Sequence, residues 1–334
     1  EAPRPVLVAR MLADAFLVLF PYKGKEELVT YCEAYSRALN GFIVSREQNY
    51  QLELRSGICC VEDSDASDIN SLLDRANMAL KTIKVKGAAQ WKFYDHTMRD
   101  KLLREKDLEI RMEKALADGE FLVYIQPKYW VGTRALAGGE ALVRWKSPDQ
   151  GFLSPGEFIP LFEKNRFIVK LDQFMFTSVC GLLRQWLDAG IEPRPLSVNV
   201  SRMQFHTPDF VERYIRIKSQ YAIPDGLLEL EFTESIFFDN VALLSSAVHE
   251  LRRAGIKCSI DDFGAGYSSL NVLKALPVSV LKLDGMFFRT AKDDEQAKSV
   301  IRNIMRMAGE LKMATVAEGV ETHEQVAFLE TTGC

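Results

Sequence analysis

Acidic residues recur in this chain at or near the ends of short apolar segments, where folding could bring them together. They are Glu140, Glu231, Asp261, Asp262 and Glu318. Clustered carboxylates raise one another's pKa and are costly to bury unless cations neutralise them. With Asn199 added, all the candidate ligands are oxygen donors, which is typical of Mg²⁺ or Mn²⁺ rather than zinc. A carboxylate shared between two such ions is the usual arrangement for hydrolysing phosphate esters.

The elements that must position these residues alternate between strand and helix after Gly119. Strands are predicted over Phe121–Ile125, Ala135–Trp145, Leu196–Val200, Leu227–Thr233, Lys257–Asp262, Val280–Asp284 and Ala314–Ala317. Helices are predicted between them, for example over Leu171–Ala189, Ser245–Ala254 and Glu295–Leu311. This alternation predicts an α/β domain with a parallel sheet, either open and doubly wound or closed into a barrel.

Residue alternation within the strands favours the barrel. Strands covered by helices on both faces are nearly continuous in apolar residues, whereas here acidic and apolar residues alternate, as in Leu228–Phe232. A barrel lumen gives the polar face a shared space, with active residues at the carboxyl ends of the strands. The spacings agree: Asn199 to Glu231 is 32 residues and Glu231 to Asp261 is 30, each about one βα unit.

The same carboxylates have a second interpretation, a structural network of salt bridges. Lys282 and Arg144 are the cations that the sequence places near them. Spacing alone leaves both interpretations open, because ion-pair networks and metal sites use the same residue types.

Length and composition set the broader limits. A chain of 334 residues predicts two domains. The net charge of -4 argues against a nucleic-acid polymer as the main partner. No segment approaches the roughly 18 apolar residues of a membrane span. Six cysteines without CxxC spacing predict buried thiols in a reducing cytoplasm. Because the sequence does not start with Met, any sensor or membrane anchor is expected upstream.

The domain boundary is predicted between residues 98 and 99. Before it, periodicity predicts an α/β segment with strands Phe16–Phe20, Tyr50–Cys60 and Gln90–Tyr94 and helices Lys25–Ala38 and Ile69–Val85. After it, a highly charged helical segment, typical of a solvated helix face, opens the second domain.

A series of ordered motifs from about residue 103 to residue 334 resembles the EAL domain family. The motifs are Gln126-Pro127, Glu140-Ala141-Leu142, Pro155–Pro160, Ser197–Ser201, Glu229–Ser235, Asp261–Ser269, Val280–Asp284 and Val316–Thr322. The resemblance implies an imperfect TIM-type (β/α)8 barrel that hydrolyses cyclic di-GMP to linear pGpG with Mg²⁺ or Mn²⁺, two ions being expected.

The resemblance also implies a role for each matching residue. Glu140, Asn199, Glu231 and Asp261 would bind one metal ion, and Asp261 would bridge to a second ion that Asp262 also binds. Lys282 would orient or activate the attacking water, and Glu318 would help to hold metal or water. Glu234 would anchor the loop that follows Asp261. Gln126 and Arg144 would contact the substrate, Arg144 through its planar fork of N–H donors.

Two departures from the family pattern stand out. Ala265 replaces a threonine in a loop that couples metal binding to dimerisation in the family. The chain also stops at Gly333-Cys334, before the family's last strand–helix unit and its further active-site glutamine. The resemblance therefore predicts a truncated last barrel unit, with barrel closure and activity both affected if that segment is missing.

The first domain resembles the carboxyl half of a GGDEF domain, from the segment Ala9–Pro21 onward. Its signature reads Leu12-Ala13-Asp14-Ala15-Phe16, so bulkier residues replace both glycines and Ala15 replaces the acidic residue. Cyclase activity is therefore expected to be lost, and a regulatory or packing role is expected instead.

Three functions remain open at this level. The leading one is an active cyclic-di-GMP phosphodiesterase in bacterial signalling. The second is a catalytically silent EAL receptor that binds cyclic di-GMP and relays the signal, although silent members usually lose metal ligands that are present here. The third is a dimerisation scaffold. The family resemblance implies a homodimer through the EAL domain.

Overall fold

The computed structural model describes residues 5–44, 54–61, 68–83, 90–233, 236, 241–264, 277–290 and 294–334. Its backbone contacts divide the chain into two compact units, Glu1–Asp107 and Leu108–Cys334. The predicted boundary at residues 98 and 99 and this division both fall within one helix, His96–Ala117. Among the described helices, none combines the length and the apolar character needed to cross a lipid bilayer.

The first unit contains two small sheets. Strands β1 (Leu7–Leu12) and β2 (Ala15–Leu19) form an antiparallel hairpin, and β3 (Ser56–Ile58) pairs in parallel with β4 (Trp91–Phe93). Its helices are α1 (Lys25–Val44), α2 (Ile69–Lys81) and the first part of α3 (His96–Ala117).

Two local features of the first unit follow from its residue types. Helix α2 begins after Asp68, whose carboxylate accepts hydrogen bonds from the backbone N–H groups of Asn70 and Ser71. The β1–β2 turn holds Ala13 at φ 29°, a positive value that glycine adopts at lower energy. The predicted strand Tyr50–Cys60 is shorter among the described residues, where only Ser56–Ile58 pairs.

The second unit is built on one curved sheet in the order β12-β11-β10-β9-β8-β6-β5, with β7 paired to β6. The strands are β5 (Phe121–Tyr129), β6 (Leu136–Ser147), β7 (Gly151–Leu153), β8 (Leu196–Val200), β9 (Leu228–Thr233), β10 (Lys257–Phe263), β11 (Val280–Leu283) and β12 (Ala314–Ala317). The helices are α4 (Pro155–Lys164), α5 (Ile168–Asp188), α6 (Phe210–Gln220), α7 (Val241–Arg253), α8 (Met286–Thr290), α9 (Glu295–Glu310) and α10 (His323–Glu330), with a 3₁₀ turn at Arg202–His206.

Strands β6, β8, β9, β10, β11 and β12 run parallel, as the alternation predicts. The alternation did not predict the start of the sheet, where β5 pairs antiparallel with β6 and β6 with β7. The physical reason is the short connection between β5 and β6, residues 130–135, because a parallel crossover needs a dozen or more residues. Within the described residues, no pairing joins β5 to β12.

The core of the second unit lies between this sheet and the helices. On β9, Leu228, Leu230 and Phe232 are buried in the main apolar cluster. The alternate positions on the same strand, Glu229 and Glu231, therefore point to the other face, which is the inner face of the curved sheet. The sheet thus divides an apolar outer layer from a polar interior, the arrangement of a TIM-type barrel.

Candidate functional site

The strands of the second unit carry the predicted site residues to one region of the inner face. Glu140 lies on β6, Asn199 on β8, Glu231 on β9, Asp261 and Asp262 on β10, Lys282 on β11 and Glu318 one residue after β12. Parallel strands deliver their carboxyl ends to the same side of a sheet, so the chain assembles this cluster from six separate strands.

Lys282 lies at the centre of the cluster. Its Nζ is 2.5 Å from Glu231 Oε2, 3.0 Å from Glu140 Oε2, 3.0 Å from Asp261 Oδ1 and 2.7 Å from Glu318 Oε1. Its side chain is only 1% exposed, so these contacts are shielded from water. Burial lowers the pKa of Lys282, but attraction to the four carboxylates outweighs burial and raises that pKa overall.

A second lysine, Lys128 on β5, completes the cluster and was not predicted from the sequence. Its Nζ donates to Glu231 Oε1 at 2.8 Å and to Ser197 Oγ at 2.7 Å. The two oxygens of Glu231 therefore each contact a different lysine. The signal was present in the sequence, because Lys128 lies two residues after Gln126 and shares its strand face.

Most carboxyl groups of the cluster bind protons more tightly than they would in water. Burial raises the pKa of Glu140, and repulsion from Glu231 raises it further. Burial raises the pKa of Glu318 to about 7, and burial with repulsion from Asp261 raises the pKa of Asp262. For Glu231, burial alone would raise the pKa, but Lys282 and Lys128 lower it. The cluster thus carries more negative charge than its lysines neutralise.

The charge balance and the donor geometry both fit divalent cations. Five carboxylates, those of Glu140, Glu231, Asp261, Asp262 and Glu318, face two lysines, which leaves at least three negative charges if every acid is ionised, since Glu229 is buried on the same face. Oxygens of Glu140, Glu231 and Asp261 lie within 4.8 Å of one another, and so do those of Asp261, Asp262 and Glu318. Asp261 belongs to both groups, the arrangement expected of a carboxylate that bridges two ions.

Asn199 adds a neutral oxygen donor beside the first group. Its amide Nδ2 donates to Glu140 Oε1 at 2.8 Å, which fixes the amide plane against the carboxylate. An all-oxygen donor set of this kind suits Mg²⁺ or Mn²⁺, as the residue types predict.

Two consecutive acids reach the same group because the backbone of β10 is irregular. Successive strand residues normally point to opposite faces. Asp262 has φ 54°, and the register between β10 and β11 shifts between Ile260 and Phe263. A bulge of this kind re-aims a side chain, and here it brings the carboxylate of Asp262 to the side of Asp261.

Two glycines before Glu140 allow β6 to approach its neighbours closely. A Cβ on Gly138 would lie 2.6 Å from the Pro195 carbonyl oxygen, and one on Gly139 would lie 2.5 Å from Ile125 Cγ2. No side chain fits at either distance, so the Gly-Gly pair sets the position from which Glu140 reaches the cluster.

The predicted substrate contacts lie on the same face but outside the ionic cluster. Gln126 is exposed on β5 and pairs with Glu140 across the β5–β6 ladder. Arg144 makes no ion pair with the described carboxylates of the cluster, which corrects the expectation that it is one of their nearby cations. Its Nη1 donates to the Val143 carbonyl at 2.8 Å, and its guanidinium carbon is 5.8 Å from the centroid of the Tyr124 ring.

Two predictions fall outside the part of the chain that the structure describes. They are the loop anchor Glu234 and the substituted position Ala265.

The fold and the site together define a barrel-type α/β domain with an acidic, metal-compatible centre at the carboxyl ends of its strands. The EAL domain family matches residues 110–334, and the diguanylate cyclase GGDEF domain family matches residues 4–90. The chain belongs to the EAL domain family, and it carries a GGDEF-like segment in front of that domain.

Individual relatives agree with this membership. The chain is 32% identical over 96% of its length to the cyclic di-GMP phosphodiesterase PA2567 of Pseudomonas aeruginosa, covering 54% of that protein. It is 30% identical over 98% of its length to the bifunctional diguanylate cyclase/cyclic di-GMP phosphodiesterase MucR of the same organism, covering 48% of it. The chain thus spans about half the length of the curated relatives it matches.

A solved structure shows the same likeness. The cyclic di-GMP complex of the PaMucR phosphodiesterase is similar at 35% identity with a TM-score of 0.64, over 68% of this chain and 92% of that one.

Proposed function

We propose that this protein is a metal-dependent phosphodiesterase that hydrolyses cyclic di-GMP to linear pGpG. The observation that carries the proposal is the pair of acidic groups that share Asp261 around a buried lysine. Names of relatives support the substrate, since PA2567 is a cyclic di-GMP phosphodiesterase and a PaMucR structure contains the dinucleotide.

In this proposal Glu140, Asn199, Glu231 and Asp261 would hold one ion, and Asp261 with Asp262 would hold the other. Bound Mg²⁺ or Mn²⁺ would supply an activated water and neutralise charge on the phosphoryl oxygens. Side chains of the protein would orient the water and bind the substrate.

Lys282 would orient the water and hold the carboxylates in place, because its ammonium already contacts four of them. Glu318 would support the second ion or the water, because it contacts Lys282 and belongs to the same acidic group as Asp261 and Asp262. Gln126 and Arg144 would bind the substrate, since both lie on the same face as the cluster. Gln126 is exposed there, and Arg144 makes no ion pair with the described carboxylates of the cluster.

The test is hydrolysis of cyclic di-GMP with Mg²⁺ or Mn²⁺, followed as pGpG formation. Glu140→Gln and Lys282→Met should each lower kcat at least about 100-fold, since loss of even a ligand-supporting group typically costs 10–100-fold. Glu113→Gln is the matched control, because Glu113 is an exposed acid that pairs with Lys170 on the surface. Tight binding of cyclic di-GMP without metal-dependent turnover would contradict the enzyme and support the receptor.

Two further expectations stay predictions: self-association through the EAL unit, which the resemblance implies, and location in the cytoplasm, which the cysteine pattern indicates. Loss of cyclase activity from the GGDEF-like segment is likewise a prediction, and its direct test is incubation of the protein with GTP.

A further inference from the structure

Two exposed aromatic side chains lie side by side near the candidate site and have no role in the proposed chemistry. Tyr124 on β5 and Phe152 on β7 have ring centroids 6.0 Å apart at 82°, and they are 46% and 56% exposed. We call this pair the aromatic ledge. Single exposed aromatics are common, but two in contact on the face of an active site call for a ligand-based explanation.

The strand register places the aromatic ledge on the inner face, next to the carboxylates. Lys128 on β5 reaches Glu231, so Tyr124, four residues earlier on the same strand, points to the same side. Tyr124 pairs with Leu142, which is two residues beyond Glu140, or about 7 Å along β6. Phe152 pairs with Lys146, which has the same parity again.

A cation lies against the aromatic ledge. Arg144 is two residues beyond Leu142 on the inner face of β6, and its guanidinium carbon is 5.8 Å from the centroid of the Tyr124 ring. One of its nitrogens binds the Val143 carbonyl, so its side chain is held in place while other N–H donors stay available for a phosphate. The acidic cluster thus shares one surface with the aromatic ledge and with the arginine that contacts it.

This combination of groups matches one class of ligand, a phosphodiester that carries a flat base. The phosphate of such a ligand would meet divalent cations and Arg144, and its base would extend over the aromatic ledge. Every nucleobase has a π-face that stacks on an aromatic ring, and the interaction does not require hydrogen-bond donors in the protein.

We infer that the aromatic ledge stacks one guanine base of a cyclic dinucleotide whose phosphodiester lies at the acidic cluster. The inference rests on the proposed function and extends it from the reacting phosphate to base recognition. Tyr124 and Phe152 are binding residues in this account, and neither touches the reacting atoms.

The experiment uses the full chain with Tyr124→Ala and Phe152→Ala, and the stacking-competent variants Tyr124→Phe and Phe152→Tyr. Tyr129→Ala is the matched control, because Tyr129 is exposed on the same strand but pairs with Leu136 at the far end of the hairpin. The readouts are KM and kcat for cyclic di-GMP with Mg²⁺, Mn²⁺ affinity by calorimetry, and oligomeric state by light scattering.

A fourth readout reports stacking itself. A cyclic dinucleotide with 2-aminopurine in place of one guanine fluoresces, and stacking on an aromatic ring quenches that fluorescence. Titration in the Lys282→Met background with Mn²⁺ present separates this binding signal from turnover, because that variant keeps the carboxylate ligands and is expected to lose most of its turnover.

Each alanine variant should raise KM about 5- to 100-fold, the range expected for loss of one base–aromatic stack, with a smaller change in kcat and unchanged Mn²⁺ affinity. The conservative variants and Tyr129→Ala should stay within about threefold of the wild type, and only the alanine variants at the aromatic ledge should lose the quenching.

Three results would overturn the inference. If the wild type hydrolyses cyclic di-GMP and the alanine variants keep its KM and its quenching, the aromatic ledge does not bind the base. If those variants instead change the oligomeric state at unchanged KM, a second copy of the chain covers the aromatic ledge. If the wild type neither binds nor hydrolyses the dinucleotide, the proposed function has failed first, and this inference falls with it.

Discussion

Replacement of the buried lysine at the centre of the carboxylates should make the stability of the protein depend on divalent cations. Lys282→Met keeps the length of the side chain but removes the ammonium that contacts Glu231, Glu140, Asp261 and Glu318. Removing one partner of a buried ion pair leaves an uncompensated charge and costs about 3–5 kcal/mol.

This cost converts to a measurable shift in melting temperature. The second unit, Leu108–Cys334, has 227 residues. For a domain of this size, 1 kcal/mol corresponds to about 2–4 °C, so Lys282→Met in EDTA should melt about 6–20 °C below the wild type.

Excess Mn²⁺ should raise the melting temperature of Lys282→Met by more than it raises that of the wild type. The reason is that a bound cation replaces the missing ammonium, and the lysine no longer opposes its binding. The assay is differential scanning calorimetry of each protein in EDTA and across a series of Mn²⁺ concentrations.

Two methionine variants calibrate the result. Lys128→Met removes contacts to one carboxylate and one hydroxyl, so its loss in EDTA should be smaller, about 1.5–3 kcal/mol. Lys170→Met removes an exposed ion pair with Glu113 and should cost at most about 1 kcal/mol. An equal loss for Lys282→Met with and without Mn²⁺ would refute the argument, because the lysine would then be a structural residue with no relation to a cation site.

Three further predictions concern the scaffold of the same unit. Gly139→Ala places a Cβ 2.5 Å from Ile125 Cγ2 and should lower the free energy of unfolding by about 1–3 kcal/mol, measured by urea denaturation. Burial raises the pKa of Asp172 to about 7, above its unfolded value near 4, so the folded state binds the proton more tightly and stability falls as pH rises from about 4 to 7. Asp172→Asn should remove this slope of up to about 1.4 kcal/mol per pH unit, seen as a flatter plot of unfolding free energy against pH, and an unchanged slope would contradict the assignment. Trp145→Phe removes the Nε1–H bond to Glu120 Oε2 at 2.7 Å and should cost about 1–3 kcal/mol, whereas Glu120→Gln, which keeps an acceptor, should cost less in the same assay.

Several parts of the fold could be predicted from residue order because burial imposes a period on the strands. Leu196–Val200 and Ala314–Ala317 are strands with the predicted bounds. On β9 the alternation of leucine with glutamate gave the correct inner face, because a strand that exposed Leu230 to the interior would bury Glu231 among helices.

Other parts depend on contacts between distant segments and leave a weaker pattern. Lys128 belongs to the site because β5 runs antiparallel beside β6, and residue periodicity does not specify the direction of an edge strand. Arg144 was expected near the carboxylates, yet it lies four residues beyond Glu140 on β6, about 13 Å along the strand. Parity predicts the face on which a side chain lies but says little about its height above the site.

The bulge at Asp262 restricts how this site can change by mutation. A backbone position with positive φ is occupied at low energy by glycine and, less readily, by asparagine or aspartate. In the genetic code, aspartate codons reach both asparagine and glycine by a single base change. Substitution by asparagine or glycine therefore keeps the backbone conformation at this position and removes the negative charge of the carboxylate. A lineage of this protein could lose the second acidic group in one step while its barrel, its first acidic group and its ligand surface stay intact.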